Sequence, residues 1–252
     1  MYPILFHVFG IPIEAFWATV FLGFAASLLV VRADLIRLGR DSGAAYDLIL
    51  WAYVGGFIGA RLLLVVTAWD DFQRDPFEHL FSGSGWVWQG GIIGGAVAVI
   101  WKARRLGLPL GEVADFSGPA LAIGQAIGRL GCQLSGDGDY GVPTDLPWGM
   151  SYPNGVVPTT DRVHPTPIYE MIGCLLIFAW LWRRRARPHV PGSLFGEYLI
   201  ATGVLRFAVE FVRRNPAMAF GLTIAQWLSL VSIAIGAGLL LRRAPWTAAE
   251  AT

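Results

Sequence analysis

Apolar positions in this chain neither alternate nor form stripes; they run on in long blocks. Seven blocks of roughly 15 to 21 residues can be marked, at residues 13–31, 48–68, 86–101, 118–134, 167–182, 194–212 and 221–241. Continuous apolar stretches near this length predict helices that cross a hydrocarbon core about 30 Å thick. A transmembrane barrel would show alternation instead. The third and fifth blocks are short, but Trp86, Trp88, Trp101, Trp180 and Trp182 flank them. Such amphipathic rings favour the membrane–water interface. The pattern predicts an all-α polytopic membrane protein of seven transmembrane helices.

Composition narrows the class further. Of 252 residues, 55% are hydrophobic and only 15% charged, against about 25% charged in a soluble domain. This excludes disorder, a collagen-like fibre and a soluble enzyme, and a net charge of +1 leaves no basic excess for nucleic acid. Twelve of the 19 basic residues fall in loops after odd-numbered spans (Arg32, Arg37 and Arg40; Lys102, Arg104 and Arg105; Arg183, Arg184, Arg185 and Arg187; Arg242 and Arg243), and four (Arg74, Arg162, Arg213, Arg214) fall after even-numbered ones. Basic loops stay cytoplasmic, so the N-terminus is expected outside and the C-terminus inside. The acids Asp70, Asp71, Asp75, Glu78, Asp137, Asp139, Asp145 and Asp161 then fall outside. Without a linker or repeat, residues 1–252 are read as one domain, with a long Pro-, Gly- and Asp-rich outer loop at about 135–166. Loops of that length are often functional. The first span is not expected to be a cleaved leader, since residues 1–9 carry no Lys or Arg.

Charged side chains within spans are costly and point to function. With the topology above, the polar residues of six spans cluster at one depth. These are Arg61; Gln89; Gln125, Arg129 and Gln133 on one helix face; His164, Tyr169 and Glu170; Arg206, Glu210 and Arg213; and Gln226. They predict a polar cavity open to the outer leaflet. Arg206 with Glu210 alone would pass as a structural pair, and single glutamines as interhelical glue. The three arginines inside spans, Arg61, Arg129 and Arg206, are different, because only Glu170 and Glu210 are available to pair with them at that depth. An anionic ligand would supply the missing charge, and the planar fork of Arg suits phosphate. The Gly-rich runs in residues 55–59, 90–95 and 124–128 are read as close helix packing. No P-loop, HExxH, GxSxG or CxxC spacing occurs, and the cysteines, Cys132 and Cys174, provide neither a zinc site nor a disulfide framework. No metal or cofactor is expected, and Cys132 is read as a small apolar core residue.

Gly128-Arg129-Leu130-Gly131, followed by a polar Gly-rich loop, resembles the signature of the prolipoprotein diacylglyceryl transferases. His164-Pro165-Thr166-Pro167-Ile168-Tyr169-Glu170 is similar to that family's HPxxxYE segment, and Arg206 to Arg213 to its RxxxExxR segment. The likeness runs from about Phe16 to Leu241. It implies an integral enzyme of the bacterial cytoplasmic (inner) membrane. Such an enzyme transfers diacylglyceryl from phosphatidylglycerol to the lipobox cysteine thiol of an exported preprotein and releases glycerol phosphate. By motif position it implies that Arg129 and Arg206 hold the phosphate and stabilise its developing charge, and that Glu210 and Arg213 orient Arg206. Arg61, Asp137, His164 and Glu170 would complete the substrate site. Three positions depart from the family pattern: Gln89 stands where a His is usual, Phe16 for a Tyr and Cys132 for an Asn. Gln cannot take a proton, so Gln89 is expected to position substrate, while solvent, Asp137 or Glu170 takes the thiol proton. A related lipid-dependent transferase with another acceptor is the alternative reading. So is a non-catalytic protein that binds anionic lipid.

Overall fold

A computed structural model describes residues 1–77 and 87–241; Glu78, Trp86, Arg242 and Arg243, used in the sequence reading, lie outside the described residues. The described chain is mainly helical. It opens with a hairpin of β1 (Ile4–Val8) and β2 (Ile11–Glu14), then runs through α1 (Ala15–Arg37), α2 (Ala44–Thr67), a short α3 (Trp69–Arg74), α4 (Trp88–Arg105) and α5 (Leu110–Ser135). A second hairpin, β3 (Met150–Tyr152) with β4 (Thr159–Val163), precedes α6 (Thr166–Arg184), α7 (Ser193–Glu210) and α8 (Ile224–Leu241). Among the described residues, the seven helices other than α3 have 18 to 26 residues and coincide with the seven apolar blocks. Most extend beyond them, because backbone hydrogen bonding continues past the last apolar side chain.

The two hairpins are an addition to the all-α reading. The first lies in an apolar run whose lack of alternation hides it. It reverses at Phe9 and Gly10, with φ of 49° and 82°, the positive pair that two-residue hairpin turns need. The second pairs Met150 with Val163 and Tyr152 with Thr159, giving structure to a stretch expected only as loop.

Three helices, α1, α2 and α8, are long and apolar enough to cross a membrane by length and composition alone. The others carry more polar residues yet share one feature with them. Large apolar side chains such as Leu62, Ile93, Leu176, Val204 and Val231 are more than half exposed. Exposed apolar surface on so many helices needs a lipid solvent. This is a helical membrane protein.

The chain forms two compact units, Arg32–Val113 and Met1–Val31 with Ala114–Thr252. Within the first, α2 and α4 meet backbone to backbone: a Cβ on Gly55 would lie 2.6 Å from the Gly94 carbonyl oxygen, so the glycine runs do pack helices. Within the second, Ser27 Oγ of α1 donates to the Ala120 carbonyl of α5 at 2.8 Å. Ala122, Leu181, Leu194 and Tyr198 form the core joining α5, α6 and α7. The buried Asp115 carboxylate accepts from the backbone N–H groups of Gly192, Leu194 and Phe195 at 2.8, 2.9 and 3.3 Å. It therefore caps α7 from another helix. At the far end of these helices, the chain between α5 and α6 folds over the helix termini.

Candidate functional site

Arg129 stands six residues before the end of α5, Glu170 one turn into α6, and Glu210 is the last residue of α7. Three helix ends thus bring opposite charges together. Arg206 Nη1 donates to Glu170 Oε1 and its Nη2 pairs with Glu210 Oε2, both at 2.8 Å. Arg129 pairs through Nε with Glu170 Oε2. Arg213, just past α7, reaches Glu170 Oε1 at 3.4 Å and Glu210 Oε2 at 3.8 Å. Glu170 is therefore shared by three guanidinium groups. The Glu170 and Glu210 side chains are 5% and 0% exposed, so without partners their charges would be very costly.

The loop after α5 adds a third carboxylate. Asp139 Oδ1 accepts from Arg213 Nη2 at 2.5 Å, and Asp139 Oδ2 from Arg129 Nη1. This changes the charge count made from sequence, in which Arg61, Arg129 and Arg206 had only Glu170 and Glu210 to pair with: Arg61 falls in the other compact unit, and Arg213 joins the cluster with an acid of its own. Arg129, Arg206 and Arg213 face Glu170, Glu210 and Asp139, three charges of each sign. Burial opposes ionisation of Asp139, but the guanidinium groups of Arg129 and Arg213 outweigh it and hold the carboxyl below the usual range. No sequence motif singled out Asp139. Its signal was an acid two residues beyond Asp137 in a Gly-rich loop that follows an arginine helix.

Local chemistry explains why the loop folds this way. Gly136 and Gly138 adopt φ of 60° and 92°, left-handed values open to glycine at little cost. Thr166 Oγ1 donates to the Asp139 carbonyl at 2.5 Å. The Gly141 N–H donates to the His164 carbonyl at 2.8 Å, and that of Val142 to the Val212 carbonyl at 2.9 Å. Tyr140 stacks on Tyr152 at 4.8 Å, and the Tyr152 hydroxyl donates to Gln133 Oε1 at 2.9 Å. The loop is thus tied to α5, α6 and the end of α7. A capping box at the start of α8 joins in. The Thr223 N–H donates to Gln226 Oε1 and the Gln226 N–H to Thr223 Oγ1, while the Thr223 hydroxyl donates to Glu210 Oε1 at 2.8 Å. Gln226 is thus a capping residue rather than interhelical glue.

Of the residues expected at the site, Arg129, Glu170, Arg206, Glu210 and Arg213 come together in one ion-pair network. Asp137 lies beside it: its Oδ1 accepts the Asp139 N–H at 3.2 Å. Side-chain ligand atoms of Cys132, Asp137 and Asp139 lie within 4.8 Å of one another. Burial, then the adjacent Asp139 charge, pushes the Asp137 carboxyl up from its ordinary range. The His164 ring meets the Tyr169 hydroxyl, Nδ1 to oxygen 3.2 Å, and Trp148 Nε1–H donates to that hydroxyl at 2.8 Å. Arg61 is buried within α2 and Gln89 is in the first turn of α4, both in the other compact unit.

The arginine fork at three helix ends suits a phosphate group, and comparison with known proteins gives the chemistry a context. The family model described as prolipoprotein diacylglyceryl transferase matches residues 3–242. Curated proteins named phosphatidylglycerol–prolipoprotein diacylglyceryl transferase are similar along most of their length. The one from Clostridium tetani is 33% identical over 94% of this chain and 95% of its own. That from Synechococcus elongatus is 34% identical, over 93% and 82%, and that from Aromatoleum aromaticum 35%, over 94% of each. On a match that spans nearly every residue from the first hairpin to α8, this chain belongs to the prolipoprotein diacylglyceryl transferase family.

Proposed function

We propose that this chain transfers the diacylglyceryl group of phosphatidylglycerol to the lipobox cysteine thiol of an exported preprotein. The observation that carries this reading is the network of Arg129, Arg206 and Arg213 closed by Glu170, Glu210 and Asp139. It presents three phosphate-compatible forks in one place. In the reaction a bond forms between the acceptor sulfur and the glycerol carbon. The carbon–oxygen bond to phosphate breaks, and that oxygen keeps the electron pair. Arg129 and Arg206 stabilise the charge gathering on the leaving glycerol phosphate, while Glu210 and Arg213 hold Arg206 in register.

The thiol proton needs an acceptor. Both Glu170 oxygens are committed to ion pairs with three guanidinium groups, which leaves neither free to meet a thiol. Asp137 has a raised carboxyl and lies at the edge of the network, so it is the better of the two carboxylate candidates. Gln89 would position donor or acceptor, and Arg61 and His164 belong to the substrate-binding set.

The proposal includes seven crossings of the bacterial inner membrane with the N-terminus outside. It is supported by the seven helices of 18 residues or more among the described residues and by the twelve-to-four division of basic loop residues. The site would then face the outer leaflet, where donor lipid and translocated acceptor meet. Purified protein incubated with labelled phosphatidylglycerol and a lipobox peptide should yield lipidated peptide by mass spectrometry. Arg129→Ala should slow it by about 30- to 1,000-fold, the equivalent of roughly 2–4 kcal/mol of transition-state stabilisation. Full activity in that variant would overturn the site.

A further inference from the structure

Asp139 differs from the other two carboxylates of the network in two ways. Its side chain is 31% exposed, against 5% for Glu170 and 0% for Glu210. It comes from a loop rather than a helix. Each of its oxygens takes a different arginine, Arg213 at 2.5 Å and Arg129, as two oxygens of one phosphate would do. We propose, resting on the transferase reading above, that the Asp139 carboxylate occupies the phosphate seat between Arg129 and Arg213 and swings aside when the donor binds.

The loop backbone permits this motion without unfolding. The Asp139 carbonyl is pinned by Thr166 Oγ1 at 2.5 Å, and Gly141 and Val142 are hydrogen-bonded to the chain beyond β4 and α7. Rotation about the Asp139 side chain alone would free one donor on each arginine, Arg129 Nη1 and Arg213 Nη2, while both stay paired with Glu170. Charge bookkeeping favours a phosphodiester as the replacement. A diester carries one negative charge, so exchanging it for the Asp139 carboxylate leaves the charge paired with Arg129 and Arg213 unchanged. Glycerol phosphate, the monoester product, carries about −1.5 to −2 near neutral pH and overfills the same seat. The returning Asp139 carboxylate then expels it. Asp139 would thus weaken donor binding moderately and speed product release.

The test uses the full-length protein in detergent micelles. Calorimetric titration with inorganic phosphate and with glycerol phosphate measures the seat directly, and initial rates against phosphatidylglycerol give KM and kcat. Asp139→Asn keeps the shape and removes the charge. It should bind both free anions about tenfold more tightly and lower the KM for phosphatidylglycerol. It should also lower kcat as product release slows. Asp139→Ser, which removes the charge and shortens the side chain, should act alike. Unchanged or weaker phosphate binding in both variants would overturn the proposal, because Asp139 would then be orienting the arginines rather than competing for them. Tighter free phosphate with an unchanged KM would overturn it as well, since the competition would not reach the lipid. Arg129→Ala separates the underlying reading: if it leaves phosphate binding intact, the anion site itself is misplaced.

Discussion

Replacing Glu170 with Gln tests whether the network is an orienting device or only a buried pairing. The change is isosteric and removes one charge. Gln has one amide oxygen, so it can serve Arg206, now at 2.8 Å from Oε1, or Arg129 on the other oxygen, but not both. If the oxygen stays with Arg206, the NH2 group faces Arg129 Nε–H, donor against donor. One charge-assisted bond, worth roughly 1.5–3 kcal/mol, is lost, and the other weakens by about half. The Arg129 and Arg206 side chains are 26% and 27% exposed, and water softens the cost to about 2–3 kcal/mol. That corresponds to roughly 30- to 150-fold in rate. The loss should fall on kcat rather than KM, because the network then carries one surplus positive charge and still attracts the donor. The assay is lipidation of a lipobox peptide against phosphatidylglycerol concentration, with size exclusion as the check on folding. Glu197→Gln is the control. Its partner Arg184 lies at 3.3 Å outside the network, and its rate should stay within twofold of the parent. A Glu170→Gln protein that keeps more than a third of the parental kcat would refute the orienting role.

Further outcomes follow from the same geometry. The raised Asp137 carboxyl must be ionised to accept a proton, so activity should climb with pH through a pKa above the ordinary Asp value of about 3.9. In Asp137→Asn that limb should vanish, leaving a rate that follows thiolate near pH 8.5; an unchanged profile would exclude Asp137. Asp115→Ala orphans three backbone N–H groups at the start of α7 and should cost on the order of 2–4 kcal/mol, read as a lower Tm in detergent. Melting at the parental temperature would mean that the cap carries no stability. A cysteine introduced near Asp145 should react with a membrane-impermeant reagent in intact cells and one near Arg184 should not, the reverse indicating an inverted chain. Gln89→His should keep or gain thiol transfer and add an ionisation near pH 6–7; loss of transfer without a new ionisation would show that Gln89 is not the position of a base.

What could be read from the sequence follows from the range of the interactions involved. Helices were legible because apolar length is a local property: the blocks at 48–68 and 221–241 became Ala44–Thr67 and Ile224–Leu241. The hairpin at Phe9 was not, since its apolar strands lack the alternation that marks a half-buried sheet. Helical spacing also placed Arg206, Glu210 and Arg213 on one face, and the structure pairs them as i, i+4 and i, i+3. Asp139 could not be placed in this way. Its position depends on two glycines in left-handed conformations and on a threonine 27 residues away that fixes its carbonyl. Periodicity says nothing of such a turn. The consequence for function is specific. Counting helical acids alone left one arginine for the ligand, whereas in the fold each of Arg129, Arg206 and Arg213 is already ion-paired. On the proposal above, an anionic substrate enters by exchange, displacing the most exposed of these three carboxylates, rather than by filling an uncompensated positive site. Affinity for the donor is then the difference between two anions competing for Arg129 and Arg213, and a single loop residue can tune it without touching the buried pairs of Glu170 and Glu210.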